Sequence, residues 1–252
     1  MKYNKRWLTT EKIGNGIFCL SMALPPVNAY EAQDLNELVD TLEEMEKDRD
    51  VRALVLTSSL STFCAGMNLK KASNFTSQEQ KNMFEATDLA VSNLFAFKKP
   101  LIAQINGPAI AGGFFLVLCA DYRIATPNAT FALAEVKVGV SLPFSLMEVS
   151  RSMIDANSLR RMLQLGSSVS SDLAYNSGII DEIVDTDIIS QRTLEIASEF
   201  ANLPRDNFTK IKMQIRNEVI EQSNLARLAR TVDPAYDWFG SDTKAAISKI
   251  IS

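Results

Sequence analysis

The chain has 252 residues and no histidine. That absence excludes Ser-His and Cys-His nucleophile pairs and any imidazole metal ligand. Cysteine is scarce too. Cys19, Cys64 and Cys119 lie far apart, are odd in number and form no CxxC, so neither a zinc knuckle nor a disulfide framework is expected. Reduced thiols in a cytosol-like compartment fit them better. There is no excess of positive charge: 26 Lys and Arg against 30 Asp and Glu leave −4, without a basic cluster. A dedicated nucleic-acid surface is therefore not expected. No apolar run reaches membrane-spanning length. The first residues, Met1 to Trp7, carry basic groups but no following apolar core, so no secretory signal is read. The expected location is the cytoplasm, or an organelle matrix if a transit peptide has been removed. Without histidine, any proton transfer falls to Glu, Asp, Lys, Tyr or Cys.

What the chain does have is apolar content, 46% of its residues, enough for one large domain with a sizeable core. It is organised around residues 106–121. Asn106-Gly107-Pro108 marks a turn. Gly112 and Gly113 let a backbone approach a ligand with no Cβ in the way. The apolar run Phe114 to Ala120 reads as a buried helix. A glycine pair opening such a helix aims free N–H groups at one point, which suits an anionic oxygen. The same residues also read as a tight turn before a core helix.

Strand and helix signals alternate through the first half. Residues 8–22 read as two strands around Gly14-Asn15-Gly16, and Glu31 to about Asp48 repeats apolar residues at helical spacing. Val51 to Thr57 is β-prone, Ser77–Phe97 is amphipathic, and Pro100–Ile105, Tyr122–Ala125 and Thr130–Ala134 read as strands. That pattern predicts an α/β architecture with parallel pairing. After it, Phe144–Met153, Ser158–Leu165, Ser171–Asn176, Ile188–Ala201 and Asn207–Ile220 read as helices, with a short strand within Gly178–Val184. The expected division is a core domain over residues 1–188 and a C-terminal helical region over 189–252. The apolar helices of that region, with Trp238 and Phe239 near its end, predict packing on the core or on a second subunit.

Three stretches carry a resemblance: Ser61-Thr-Phe-Cys-Ala-Gly-Met-Asn-Leu-Lys70, residues 106–121, and Phe131-Ala-Leu-Ala-Glu-Val-Lys-Val-Gly-Val-Ser-Leu-Pro143. In this order and spacing they resemble the signatures of the crotonase, or enoyl-CoA hydratase/isomerase, superfamily. The similarity runs from about residue 10 to 185 and includes Arg161–Gly166 and Gly178–Val184. It implies a spiral of repeated ββα units with a C-terminal helical region. It also implies an acyl-CoA substrate whose thioester oxygen is held by two backbone amides, which match Met67 and Gly112 here. Losing one donor of such a pair typically costs about 3–4 kcal/mol in the barrier. Hydratases of the family use two glutamates. The first position is Phe115 here; the second is Glu135.

Glu135 stands between Ala134 and Val136 at what reads as an apolar strand end, where desolvation raises a carboxyl pKa toward that of a general base. One glutamate rather than two points away from hydration and toward moving a double bond. The pattern is most similar to mitochondrial-type Δ3,Δ2-enoyl-CoA isomerases, through Pro25-Pro26-Val27-Asn28, Ala111–Val117, Asp121–Ile124 and Pro143-Phe144. Asn68 departs from the Asp often found there. The resemblance implies substrate or CoA contacts at Ala65, Gly66, Lys70, Gly113, Phe115 and Pro143, with Lys71, Lys210 and Lys212 as further phosphate candidates. Phe114 and Phe115 read equally as acyl-pocket walls or as core. No metal, nicotinamide or flavin signature is present; CoA enters only as part of the substrate. The family's assembly implies a homotrimer or hexamer. Two other readings stay open: another reaction on an acyl-CoA, with Tyr122, Ser141 or Glu148 supplying the second polar group, and a family-like protein that binds without catalysis.

Overall fold

The computed structural model describes residues 3–229 and 240–251. In chain order the elements begin β1 (Leu8–Gly14), β2 (Ile17–Met22), β3 (Ala29–Tyr30), α1 (Ala32–Lys47), β4 (Ala53–Ser58), β5 (Gly66–Met67), α2 (Leu69–Ala72) and α3 (Ser77–Phe95). Then come β6 (Leu101–Ile105), β7 (Ala109–Ile110), α4 (Gly112–Leu118), β8 (Tyr122–Ala125), β9 (Thr130–Ala132) and a 3-10 turn over Glu135–Val138. The chain continues with α5 (Phe144–Met153), α6 (Ala156–Leu165), β10 (Ser168–Ser170), α7 (Ser171–Asn176), β11 (Glu182–Ile183), α8 (Ile189–Asn202), α9 (Arg205–Ala229) and α10 (Ser241–Ile251). Trp238 and Phe239 lie outside the described residues.

The main sheet runs β1-β2-β4-β6-β8-β11. Only its first pair is antiparallel; β2, β4, β6, β8 and β11 pair in parallel. All six residues of β4 are buried, as expected for a parallel strand covered on both faces. One face carries the larger core, where Leu54, Leu56, Leu101 and Ala103 meet side chains of α1, α3 and α4. The other packs Ala53, Val55, Ile102 and Ile124 against Ile189, Ile196 and Ala197 of α8. Helix starts follow their local chemistry. Thr76 and Glu79 cap α3 reciprocally, Glu79 accepting from the Thr76 N–H at 2.8 Å and Thr76 Oγ1 from the Glu79 N–H at 3.3 Å.

A second, smaller layer folds over the C-terminal ends of the parallel strands. There β10, β9 and β7 form one sheet, and β3 and β5 form a two-stranded one. The long α9 is fastened by charge. Asp121 accepts from Lys212 Nζ at 2.6 Å, Arg216 Nη2 at 2.8 Å and the Leu101 N–H at 2.9 Å. Arg216 also donates to the carbonyls of Phe95 and Cys119. No described helix is long and apolar enough to cross a membrane.

Candidate active site

The site forms where the loop after β4 meets the start of α4. Asn28, fully buried at φ 53°, organises that loop. Its Oδ1 accepts from the Leu24 N–H at 2.7 Å, and its Nδ2 donates to Ser58 Oγ at 2.7 Å and to the Phe63 carbonyl at 2.9 Å. Asn106 Nδ2 ties the next turn to the carbonyls of Ser58 and Leu60. The loop then runs beside β7: the Cys64 N–H donates to the Pro108 carbonyl and the Ile110 N–H to the Cys64 carbonyl.

The glycines are there because space runs out. A Cβ on Gly113 would fall 2.2 Å from the Cys64 carbonyl oxygen, and one on Gly66, which sits at φ +82°, would fall 3.1 Å from the Gly112 nitrogen. Gly66 and Gly112 are thus packed directly together. The Asn68 N–H donates to the Tyr30 carbonyl at 2.9 Å. Because successive positions of an extended strand face opposite ways, the Met67 amide turns away from β3. Gly112 opens α4, so its amide has no intrahelical partner. Ala111 before it holds φ 49°, ψ −127°, a conformation that costs a residue with a Cβ of order 1–3 kcal/mol.

Glu135 reaches this place through β9. Ile110 pairs with Ala132, and the Ala111 N–H donates to the Ala132 carbonyl at 2.7 Å. The strand stops there, and Glu135 starts a 3-10 turn ended by Gly139 at φ 66°. This corrects the strand-end expectation: the β9 ladder breaks before Leu133. Glu135 is only 9% exposed, and among the described residues no group hydrogen-bonds its Oε2. Burial is the main cause that pushes its pKa from 4.5 up to about 7, with its own backbone N–H pulling weakly the other way. The C-terminal helix closes over this turn. α10 packs on it and on α2, and Thr243 Oγ1 donates to the Gly139 carbonyl at 2.7 Å.

The other expected contact residues divide. Ala65, Gly66 and Gly113 belong to the packed centre, with Ala65 donating its N–H to the Val27 carbonyl. Phe115 is fully buried within the larger core, and Phe114 stacks at a tilt on Phe131, 5.3 Å between centroids. Pro143 is buried and caps α5. Lys70 is exposed on α2, and Lys71 pairs with Glu31 at 2.7 Å. Lys212 is a correction: it is 4% exposed and held by Asp121 and the Lys99 carbonyl, so it cannot meet a phosphate. Lys210 lines a separate cleft with Lys98, Lys99 and Arg205. Tyr122 bonds Glu182 at 3.3 Å and packs with the α8 side of the sheet; Glu148 is taken by Arg151 of its own helix. Among the described residues no cluster of three or more metal-ligating side chains occurs. The three cysteines are free thiols, and burial pushes Cys64 and Cys119 up to about 12.

The sequence reading missed Tyr30. It is 2% exposed, and a Cβ on Gly112 would lie 1.6 Å from its hydroxyl oxygen. Its only signal in the sequence is a phenol two residues beyond Asn28; nothing there says that it reaches Gly112.

Comparison with known proteins identifies the family and the fold. A family model described as "Enoyl-CoA hydratase/isomerase" matches residues 12–244. The chain is 28% identical over 204 residues to the mitochondrial enoyl-CoA delta isomerase 1 of Mus musculus, covering 80% of this chain and 71% of that one. It is 31% identical over 182 residues to the carnitinyl-CoA dehydratase of Proteus mirabilis, covering 71% and 68%. The crystal structure of human mitochondrial delta3-delta2-enoyl-CoA isomerase superposes with a TM-score of 0.92 over 98% of this chain and 97% of that one; at 24% identity this is a likeness of fold.

Proposed function

We propose that this chain, which belongs to the enoyl-CoA hydratase/isomerase family and is an enzyme of that family, moves the double bond of a 3-enoyl-CoA to the 2-position with Glu135 as its only base. The thioester oxygen sits between the amides of Met67 and Gly112. Glu135 takes a proton from C2. The electrons of that C–H bond spread into a dienolate whose charge rests on the thioester oxygen, facing the two amides. The same carboxyl then returns the proton to C4, and the double bond is left conjugated with the thioester.

The observation that supports this reading best is Glu135 itself. It is a buried carboxyl without a salt-bridge partner among the described residues, poised near neutrality. A base with a pKa close to the working pH combines a usable ionised fraction with adequate basicity. Phe115, at the place of a hydratase's other glutamate, can neither activate water nor move a proton. A carbon acid next to a thioester needs no metal once its enolate oxygen is held.

The CoA part lies along the 61–70 loop, with Lys70 toward a phosphate and Ala65, Gly66, Gly113 and Pro143 lining the way to the acyl chain. Residues 189–252 form a lid and association region beyond the 1–188 core, and the chain works as a homotrimer or a pair of trimers in the cytosol or an organelle matrix. Ile211 and Ile215, exposed one turn apart on α9, favour such association. A screen of 3-enoyl-CoA thioesters of several chain lengths, read at the absorbance of the conjugated product, tests the reading. No product at any length would overturn it. Hydration is the second reading, favoured by the likeness to a dehydratase. It predicts heavy oxygen in the product when 2-enoyl-CoA is incubated in labelled water, whereas the isomerase leaves the thioester unlabelled.

A further inference from the structure

Tyr30 has a hydroxyl that the proposed chemistry leaves unused. Its ring is fixed by burial and by a tilted contact with Trp7, 6.4 Å between centroids. Its carbonyl is engaged by the Asn68 N–H at the root of the same loop. The hydroxyl oxygen presses on the Cα of Gly112, so close that any side chain there would overlap it. Among the described residues no protein group hydrogen-bonds this hydroxyl, and its oxygen is not one of the sealed-in polar atoms, so it opens onto free space beside Gly112. Burial first, then the nearby Cys64 and Glu135, hold its pKa well above the ordinary value, so it faces the site as a neutral O–H.

We infer that the Tyr30 hydroxyl is a third hydrogen-bond donor to the substrate's thioester oxygen, beside the amides of Met67 and Gly112. The inference rests on the acyl-CoA reading of the site. The position of the hydroxyl against Gly112 brings it within reach of whatever atom the Gly112 amide holds. Its neighbourhood with Glu135 puts it on the side from which the α-carbon is deprotonated. A neutral donor fixed in a dry site strengthens its bond as charge builds on the oxygen and needs no reorganisation when the proton leaves. Tyr30 is thereby a catalytic residue that acts mainly on kcat.

The test compares wild type with Tyr30→Phe. With 3-enoyl-CoA, kcat is expected to fall about 100-fold, as for loss of one donor in a preorganised hole, while KM and the melting temperature stay unchanged. In parallel, hexanoyl-CoA carrying carbon-13 at its thioester carbonyl is bound to both proteins and its infrared carbonyl band is read. The band is expected below its position in water for wild type, and part of the way back for Tyr30→Phe. Equal kcat in the two proteins, or an equal band, overturns the assignment. If Tyr30→Phe does not fold, 3-fluorotyrosine placed at position 30 keeps the ring and gives a stronger donor. The band must then drop further, and an unmoved band overturns the proposal. A wild type that shifts the hexanoyl-CoA band but never converts 3-enoyl-CoA sinks the isomerase reading and leaves Tyr30 standing. A wild type that converts it no faster than Tyr30→Phe does the reverse.

Discussion

Two carboxyls of this molecule, one largely and one almost wholly out of water, keep opposite company. Asp121, at the end of α4, accepts from two cations and a backbone amide. Glu135 lies one small sheet away, and among the described residues one of its oxygens meets no donor at all. The first arrangement is how a fold makes a buried charge tolerable, since paired and hydrogen-bonded charges offset much of their desolvation. The second leaves a carboxyl that is costly to ionise and ready to exchange a proton. The contrast separates a carboxyl that holds helices together from one that the proposed chemistry employs. Both follow apolar runs in the sequence, and only their surroundings tell them apart.

Substitution should pull the two apart. Asp121→Asn leaves Lys212 and Arg216 buried without a counter-charge, and removing one partner of such a group costs about 3–5 kcal/mol. For a chain of this size that is a melting temperature lower by roughly 8–15 °C, measurable by calorimetry. A shift near zero would show that α9 does not depend on this cluster.

Glu135→Gln should do the reverse, and its effect depends on pH. The folded-state pKa of Glu135 is raised, so the fold binds its proton more tightly than the unfolded chain does. The stability this group contributes is full below about 4.5, falls as pH rises toward about 7, and changes little above that. An uncharged amide escapes that loss. The variant should match wild type near pH 4 and exceed it by about 3 kcal/mol at pH 8. Parallel melting curves across this range would place the carboxyl in water instead. The smallest effect is expected next door. Ala111→Gly relieves the positive φ before Gly112 and should stabilise by about 1 kcal/mol, read from the urea midpoint.

Much of the scaffold was legible. Phe144–Met153, Ser171–Asn176 and Tyr122–Ala125 form the helices and strand expected of them, because each carries a complete period of burial. The helix expected over Asn207–Ile220 runs instead over Arg205–Ala229. Its buried face turns polar at Lys212, Arg216 and Ser223, so apolar periodicity fades while the helix continues. The strands β3, β5 and β7 have two residues each, too few for any period, yet they frame the site. The Gly112-Gly113 pair was singled out by residue type and position, and Gly66 and Glu135 by the family resemblance. Tyr30 was not, since its meaning lies in one contact with Gly112 that a linear pattern cannot carry.

The most direct measurement is the rate at which Glu135→Gln converts 3-enoyl-CoA, taken at pH 8 on folded protein that still binds hexanoyl-CoA. Turnover should fall by about a thousandfold or more, the scale of losing a general base that performs both proton transfers. Turnover within tenfold of wild type would mean that another group moves the proton.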